Sequence, residues 1–81
     1  MSEPATFKNW REIKEWAEKN GYKNLAARMQ LNNDAWMSSG EFGRSQEQIC
    51  DALRFAETAE EQHKIAAEFD AQTAEIGRAH V

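Results

Sequence analysis

The sequence predicts an all-α fold, and three observations carry that prediction. The chain has 81 residues with one proline and one valine, and no stretch alternates polar and β-branched residues as strands do. Residues 7–20 repeat their apolar side chains at the helical period. Residues 46–76 contain neither Gly nor Pro and are rich in Ala and Glu, which favour helices. We expect one helical domain at 7–77, after a flexible lead at 1–6 and before a tail at 78–81.

The first helix is predicted to run from Phe7 to Asn20. Its apolar residues fall on one half of the helix and its charged residues on the other, as in an amphipathic helix. The apolar set is Phe7, Trp10, Ile13, Trp16 and Ala17. Asn20-Gly21 supplies a left-handed stop, and Tyr22 is then placed to pack back on the last turn near Trp16 or Ala17.

The second helical unit is predicted to be short and broken. Asn24 can cap its start, because a side-chain oxygen there accepts the free N–H groups of the first turn. Residues 32–34, Asn-Asn-Asp, compete with the helical backbone, so we expect a bend or restart there. A short third piece then ends at residues 38–40.

The C-terminal part is predicted to be one long helix. Residues 40–44 form a loop, and Ser45 with Gln48 has the spacing of a capping box. A helix over 46–76 would be roughly 46 Å long at 1.5 Å per residue. A break near Thr58, which could form a second capping box with Glu61, is the alternative.

The apolar face of this long helix is poor in bulky side chains. Its heptad-like seam consists of Ala52, Phe55, Ala59, Gln62, Ala66, Phe69, Thr73 and Ile76. Leu, Ile, Val and Phe make up only 12 of the 81 residues, which is too few for a full core. We therefore expect a helical bundle or a coiled-coil-like dimer, in which the far half of the helix pairs with another chain.

Charge and composition exclude several classes of protein. Residues 1–44 carry seven Lys and Arg against six Asp and Glu, whereas residues 45–81 carry three against eight. The acidic balance disfavours nucleic-acid binding, which depends on a basic stripe, but it does not exclude a local basic patch. The absence of a long apolar run and of a signal-peptide pattern predicts a cytoplasmic protein with no membrane contact. The single cysteine, Cys50, agrees with a reducing compartment.

No motif for catalysis stands out. Glu60 and His63 have the E-x-x-H spacing of di-iron bundles, but such a site needs a second pair and two further glutamates. The ordinary interpretation is a solvent-exposed His63 that can hydrogen-bond Glu60. Cys50 has no evident histidine base and is expected to be a buried, inert thiol. We therefore expect no enzyme activity, no cofactor and no metal site.

The predicted function is protein–protein contact. Small acidic helical proteins of this kind act as regulators, adaptors or inhibitors, including phage accessory proteins that act on a host protein. The partner is expected to be another protein or a second copy of the chain, with a homodimer as the simplest form. The predicted partner-binding residues are Trp16, Glu60, Glu61, Glu68, Phe69 and Ile76.

An alternative function is DNA binding. Residues 24–36, NLAARMQLNNDAW, resemble the first part of the helix-turn-helix regulators, with apolar or small residues where that motif wants them. The resemblance implies a DNA-binding segment within residues 24–37. Its predicted contacts are Lys23, Arg28, Asn32, Asn33 and Arg44.

Overall fold

Four helices form the described part of the chain. The structure is a computed structural model that describes residues 3–40 and 43–79, with side chains as far as Glu75. The helices are α1 (Trp10–Lys19), α2 (Lys23–Ser39), α3 (Gly43–Arg54) and α4 (Ala59–Ala79). Within those ranges there is no strand, so the all-α prediction is confirmed.

The core lies where α2 meets the other three helices. α1 packs on α2, and both α3 and α4 pack on α2 and on each other. The buried apolar residues that form one connected cluster are Ile13, Ala17, Leu25, Ala26, Met29, Ile49, Cys50, Leu53 and Ala66. Because this set contains only a few large side chains, half-buried aromatic rings complete the packing around it.

α1 begins at Trp10, three residues later than predicted. The Asn9 side chain accepts the Glu12 backbone N–H at 3.1 Å, and Glu12 Oε1 accepts the Lys8 N–H at 3.1 Å. This exchange caps the helix and keeps Phe7 outside it. The predicted stop is confirmed, since Gly21 has φ +88° and Tyr22 N–H bonds the Ala17 carbonyl at 2.8 Å.

The predicted break in the second helical unit is wrong, because α2 runs unbroken through residues 32–34. The Asn32 side chain donates to Ser45 Oγ at 3.3 Å instead of competing with its own backbone. Asn24 is not the cap either. The free N–H of Leu25 is accepted by Asp70 of α4 at 2.9 Å. The helix ends as predicted at Gly40, whose φ is +76°.

α3 begins at Gly43, so the predicted capping box of Ser45 and Gln48 is wrong. Ser45 lies inside the first turn, and its hydroxyl accepts bonds from Arg28 and Asn32 of α2. Packing between the two helices therefore uses the side chain that the sequence pattern assigned to capping.

The prediction of a single long helix is also wrong, because α3 ends at Arg54 and α4 starts at Ala59. Thr58 Oγ1 accepts the Glu61 N–H at 3.1 Å, and Glu61 Oε2 accepts the Glu57 N–H at 3.2 Å. This is the alternative capping box. The break lets α4 fold back onto α2 and α3, which buries Gln62 and Ala66 within the same chain. Pairing of the far half of α4 with a second chain stays a prediction.

Candidate partner-binding groove

An aromatic cluster joins α1 to α4. The Trp16 ring lies 5.0 Å from the His63 ring and 5.8 Å from the Tyr22 ring, measured between centroids. Phe7 meets the same indole edge-on at 5.8 Å. Such edge-to-face and tilted contacts are favourable aromatic geometries. Trp16 is therefore held in place from several directions, although it is only half-buried.

The turn after α1 positions this cluster. Its left-handed glycine reverses the chain, so that Tyr22 returns to the last turn of α1 as predicted. The Tyr22 hydroxyl lies 2.9 Å from His63 Nδ1. The expectation of a solvent-exposed His63 bonded to Glu60 is thus wrong, because His63 is half-buried in contact with the rings of Trp16 and Tyr22.

An open groove of about 620 Å³ runs beside Trp16. It forms where the segment preceding α1 lies along the outer side of that helix. We call it the acidic groove; its lining residues are Ala5, Thr6, Phe7, Glu12, Glu15, Trp16, Glu18 and Lys19. Two aromatic rings and the short side chain of Ala5 give it an apolar surface, and the charged residues of α1 form its rim.

The rim of the acidic groove has three carboxylates and one ammonium group, a net charge of −2. Glu12 accepts the Lys8 N–H, and Glu18 lies 3.6 Å from Lys14 Nζ. Glu15 is exposed and has no hydrogen bond or ion pair within the described residues. One rim carboxylate is therefore uncommitted.

The acidic groove adjoins the first turn of α4. Ala5 lines the groove and exchanges two hydrogen bonds with Gln62, at 2.8 and 2.9 Å. Trp16 lines it from the other side and contacts His63. The exposed carboxylates of Glu60 and Glu61 belong to this same turn of α4.

The predicted partner-binding residues occupy different places. Trp16 lines the acidic groove, and Glu60 and Glu61 are exposed on the turn of α4 whose Gln62 and His63 contact the groove residues Ala5 and Trp16. Glu68 is exposed but lies about 12 Å further along α4, eight residues at 1.5 Å each. Phe69 is half-buried against the core, with the Arg28 guanidinium 5.9 Å from its ring. The side chain of Ile76 lies outside the described residues.

The predicted DNA contacts do not share one surface. Asn32 is buried and bonded to Ser45, and Arg28 is half-buried with Nη2 on the same hydroxyl. Asn33 is half-buried as well, while Lys23 is exposed at the start of α2 and Arg44 at the start of α3. Residues 24–37 lie within the unbroken α2, so this stretch contains no turn.

A second groove, of about 500 Å³, lies between α1 and α2. Its rim carries Lys14, Lys23 and Glu18, and no aromatic ring lines it. The acidic groove is the better candidate for recognition, because aromatic side chains supply much of the energy at protein interfaces.

Cys50 lies within the core on α3. Burial raises the pKa of its thiol, with Asp51 and Glu47 adding to the effect and Arg54 opposing it. A raised pKa keeps the thiol neutral, which is the opposite of what a nucleophile or a metal ligand needs. Within the described residues, no three or more His, Cys, Asp and Glu side chains are grouped so that they could hold a metal ion.

Sequence reasoning missed the groove itself. Phe7 was assigned to the first helix, and Glu12 and Glu15 to its solvated face. The pattern Asn9-x-x-Glu12 is the signal that could have placed the helix start after Phe7. Nothing local marks Gln62 as the anchor of Ala5, which lies 57 residues away in the chain.

Comparisons of the chain with models of protein families, with curated proteins and with solved structures find no match. Among the helices of the described residues, none combines the length and the apolar character required to span a membrane.

Proposed function

We propose that this chain is a non-enzymatic protein-interaction protein that docks a protein partner through the acidic groove and the adjoining first turn of α4. It would regulate, tether or inhibit that partner. The observation that carries the proposal is the partly exposed Trp16, fixed by three neighbouring rings in the wall of a groove of about 620 Å³. A rigid aromatic anchor beside a groove is typical of the residues that dominate binding energy at interfaces.

Charge supports the same surface. Residues 57–79 carry six Asp and Glu against two Lys and Arg, so this segment alone accounts for the chain's net charge of −4. The exposed Glu60 and Glu61 add two carboxylates on the adjoining first turn of α4. A concentrated charge of one sign speeds association with a partner of opposite charge and suppresses other partners.

The partner is another protein or a second copy of the chain, and the same surface would serve either. We also propose that the protein acts in the cytoplasm, because a buried, unpaired thiol such as Cys50 fits a reducing compartment.

The test uses a charge reversal that leaves the core intact. Glu15→Lys changes an exposed rim carboxylate without touching a described hydrogen bond, whereas replacing Trp16 would also remove core packing. Glu47→Lys, at an exposed position on α3, is the matched control. Each chain is immobilised and used to retain proteins from a lysate of the cells that produce it, and its mass is measured by sedimentation.

With the natural chain and with Glu47→Lys, we expect one retained partner protein or the mass of a dimer. With Glu15→Lys, we expect retention of the partner, or association of the dimer, to fall at least tenfold. Equal behaviour of the two variants would remove the acidic groove as the docking surface. If the natural chain and both variants are monomers that retain no protein, the proposed docking function is contradicted.

A further inference from the structure

We infer that the acidic groove binds an arginine side chain presented by the partner protein, with the guanidinium against Trp16 and beside Glu15. This inference rests on the proposed function and specifies the chemistry of the partner. It follows from three features of the groove: the fixed indole, the uncommitted carboxylate and the net negative rim.

The fixed indole is the first feature. Trp16 contacts Phe7 edge-on, with 70° between the ring planes, and is tilted by 38° against both Tyr22 and His63. Because these contacts hold the ring before a ligand arrives, little side-chain freedom is lost on binding. The face of a Trp indole attracts cations more strongly than the ring of Tyr or Phe does.

The chain already pairs guanidinium groups with aromatic rings. Arg11 lies 5.9 Å from the centroid of Trp10, and Arg28 lies 5.9 Å from that of Phe69. No such contact is made to Trp16 by the described residues; its groove presents carboxylates instead. The acidic groove therefore presents the indole and the carboxylates that a guanidinium binds, and the lining cation, Lys19, makes no ion pair with them in the part of the chain that the structure describes.

The uncommitted carboxylate is the second feature, and the rim charge is the third. Glu15 makes no hydrogen bond or ion pair within the described residues. Glu12 accepts the Lys8 N–H with Oε1 alone, so its second oxygen has no bond there. The planar guanidinium of an arginine has five N–H donors, so it can stack on the indole and hydrogen-bond a carboxylate at the same time. A lysine ammonium can do only one of these well, and an acidic or wholly apolar segment would leave the carboxylates unpaired.

The probe is a capped Gly-Arg-Gly-Arg-Gly peptide, added to the full chain while amide and indole N–H signals are followed by NMR. The control peptide carries citrulline in place of arginine, which keeps the shape of the side chain and removes its charge. The variant is Glu15→Gln, and Glu47→Gln on α3 is its control.

We expect saturable shifts of the Trp16 indole signal and of the Glu15 amide signal with the arginine peptide. Binding should weaken at least fivefold with the citrulline peptide and with Glu15→Gln, and should be unchanged with Glu47→Gln. Equal binding of the two peptides, no binding, or shifts confined to the outer face of α4 would overturn the inference.

The two proposals fail separately. Loss of partner retention with Glu15→Lys, combined with no response to the arginine peptide, would keep the docking function and remove the arginine site. A specific response to the arginine peptide, combined with no partner and no dimer, would do the reverse.

Discussion

The two buried glutamines of this chain occupy regions that satisfy them very differently. Gln62 is 1% exposed and its amide makes three hydrogen bonds, two with Ala5 and one to the Leu53 carbonyl at 3.0 Å. Gln46 is 2% exposed and donates only to the Met29 carbonyl, at 3.1 Å. Its Oε1 has no partner among the described residues.

We therefore expect a buried amide to stabilise this fold only where both its oxygen and its nitrogen are hydrogen-bonded. Gln62 connects the segment before α1, the last turn of α3 and α4, so its bonds hold together the elements that shape the acidic groove. Gln46 lies between α2 and α3 next to Ser45, where Arg28 Nη1 also lacks a described partner. An unsatisfied buried polar group costs free energy, so this region is expected to gain from apolar substitution.

Gln62→Met should have the largest effect. The side chains have similar volume, but methionine leaves the Ala5 N–H, the Ala5 carbonyl and the Leu53 carbonyl without their partners. A group that stays buried and unsatisfied costs about 1–3 kcal/mol, whereas the groups of the half-buried Ala5 can regain bonds to water, so we expect the free energy of unfolding to fall by roughly 2–4 kcal/mol in urea titrations. Gln72→Met, at an exposed position on α4, is the control. A loss equal to that of the control would show that the segment before α1 is not held by Gln62.

The cap of α4 gives an intermediate effect. Thr58→Ala removes the acceptor of the Glu61 N–H, and loss of such a cap costs about 1 kcal/mol. Chemical denaturation should detect this loss, while Thr58→Ser, which keeps the hydroxyl, should restore most of it. A loss shared by both variants would mean that the methyl packing of Thr58 matters and the cap does not.

Gln46→Met is expected to leave the protein as stable as before or to stabilise it by up to about 1 kcal/mol. The same substitution would then have opposite consequences at the two buried glutamines, which is the sharpest test of the comparison. Thermal and urea unfolding of both variants under one set of conditions provide it. A loss at Gln46 as large as that at Gln62 would show that the Met29 bond alone sustains this amide.

Sequence reasoning predicted the features that depend on neighbours in the chain. Gly21 and Gly40 end their helices as expected, and the Thr58 alternative gives the start of α4. The continuity of α2 was missed, because Asn32 bonds Ser45, 13 residues away, and no local pattern indicates that bond. The break after Arg54 was predicted only as the alternative, because residues 46–76 are helical in composition throughout. The bonds from Asp70 to Leu25 and from Gln62 to Ala5 join residues 45 and 57 positions apart, so no local pattern indicates them.

Part of the candidate site was likewise predicted from the sequence, and part of it depends on contacts that no local pattern indicates. Trp16 was predicted as a partner-binding residue, as were Glu60 and Glu61 in the acidic second half of the chain. The groove that Trp16 lines depends on the segment before α1 lying against that helix, which is a tertiary event. Phe7 and Glu15 could therefore not be assigned to a binding surface from the sequence.

Cys50 gives the smallest expected effect and reports on the apolar environment one turn beyond Gln46 on α3. Burial raises the pKa of its thiol above the ordinary value of 9.0, with Asp51 and Glu47 adding to the rise and Arg54 opposing it.

A group whose pKa is raised by folding contributes its full share of stability below the unfolded pKa and loses it as the pH rises through the folded pKa. The unfolding free energy of the natural chain should therefore fall relative to that of Cys50→Ala above about pH 9. Urea titrations of both chains from pH 7 to pH 10.5 measure this difference. A difference that stays constant across the range would mean that water reaches the thiol, and that the side of α3 bearing Gln46 is wetter than its burial indicates.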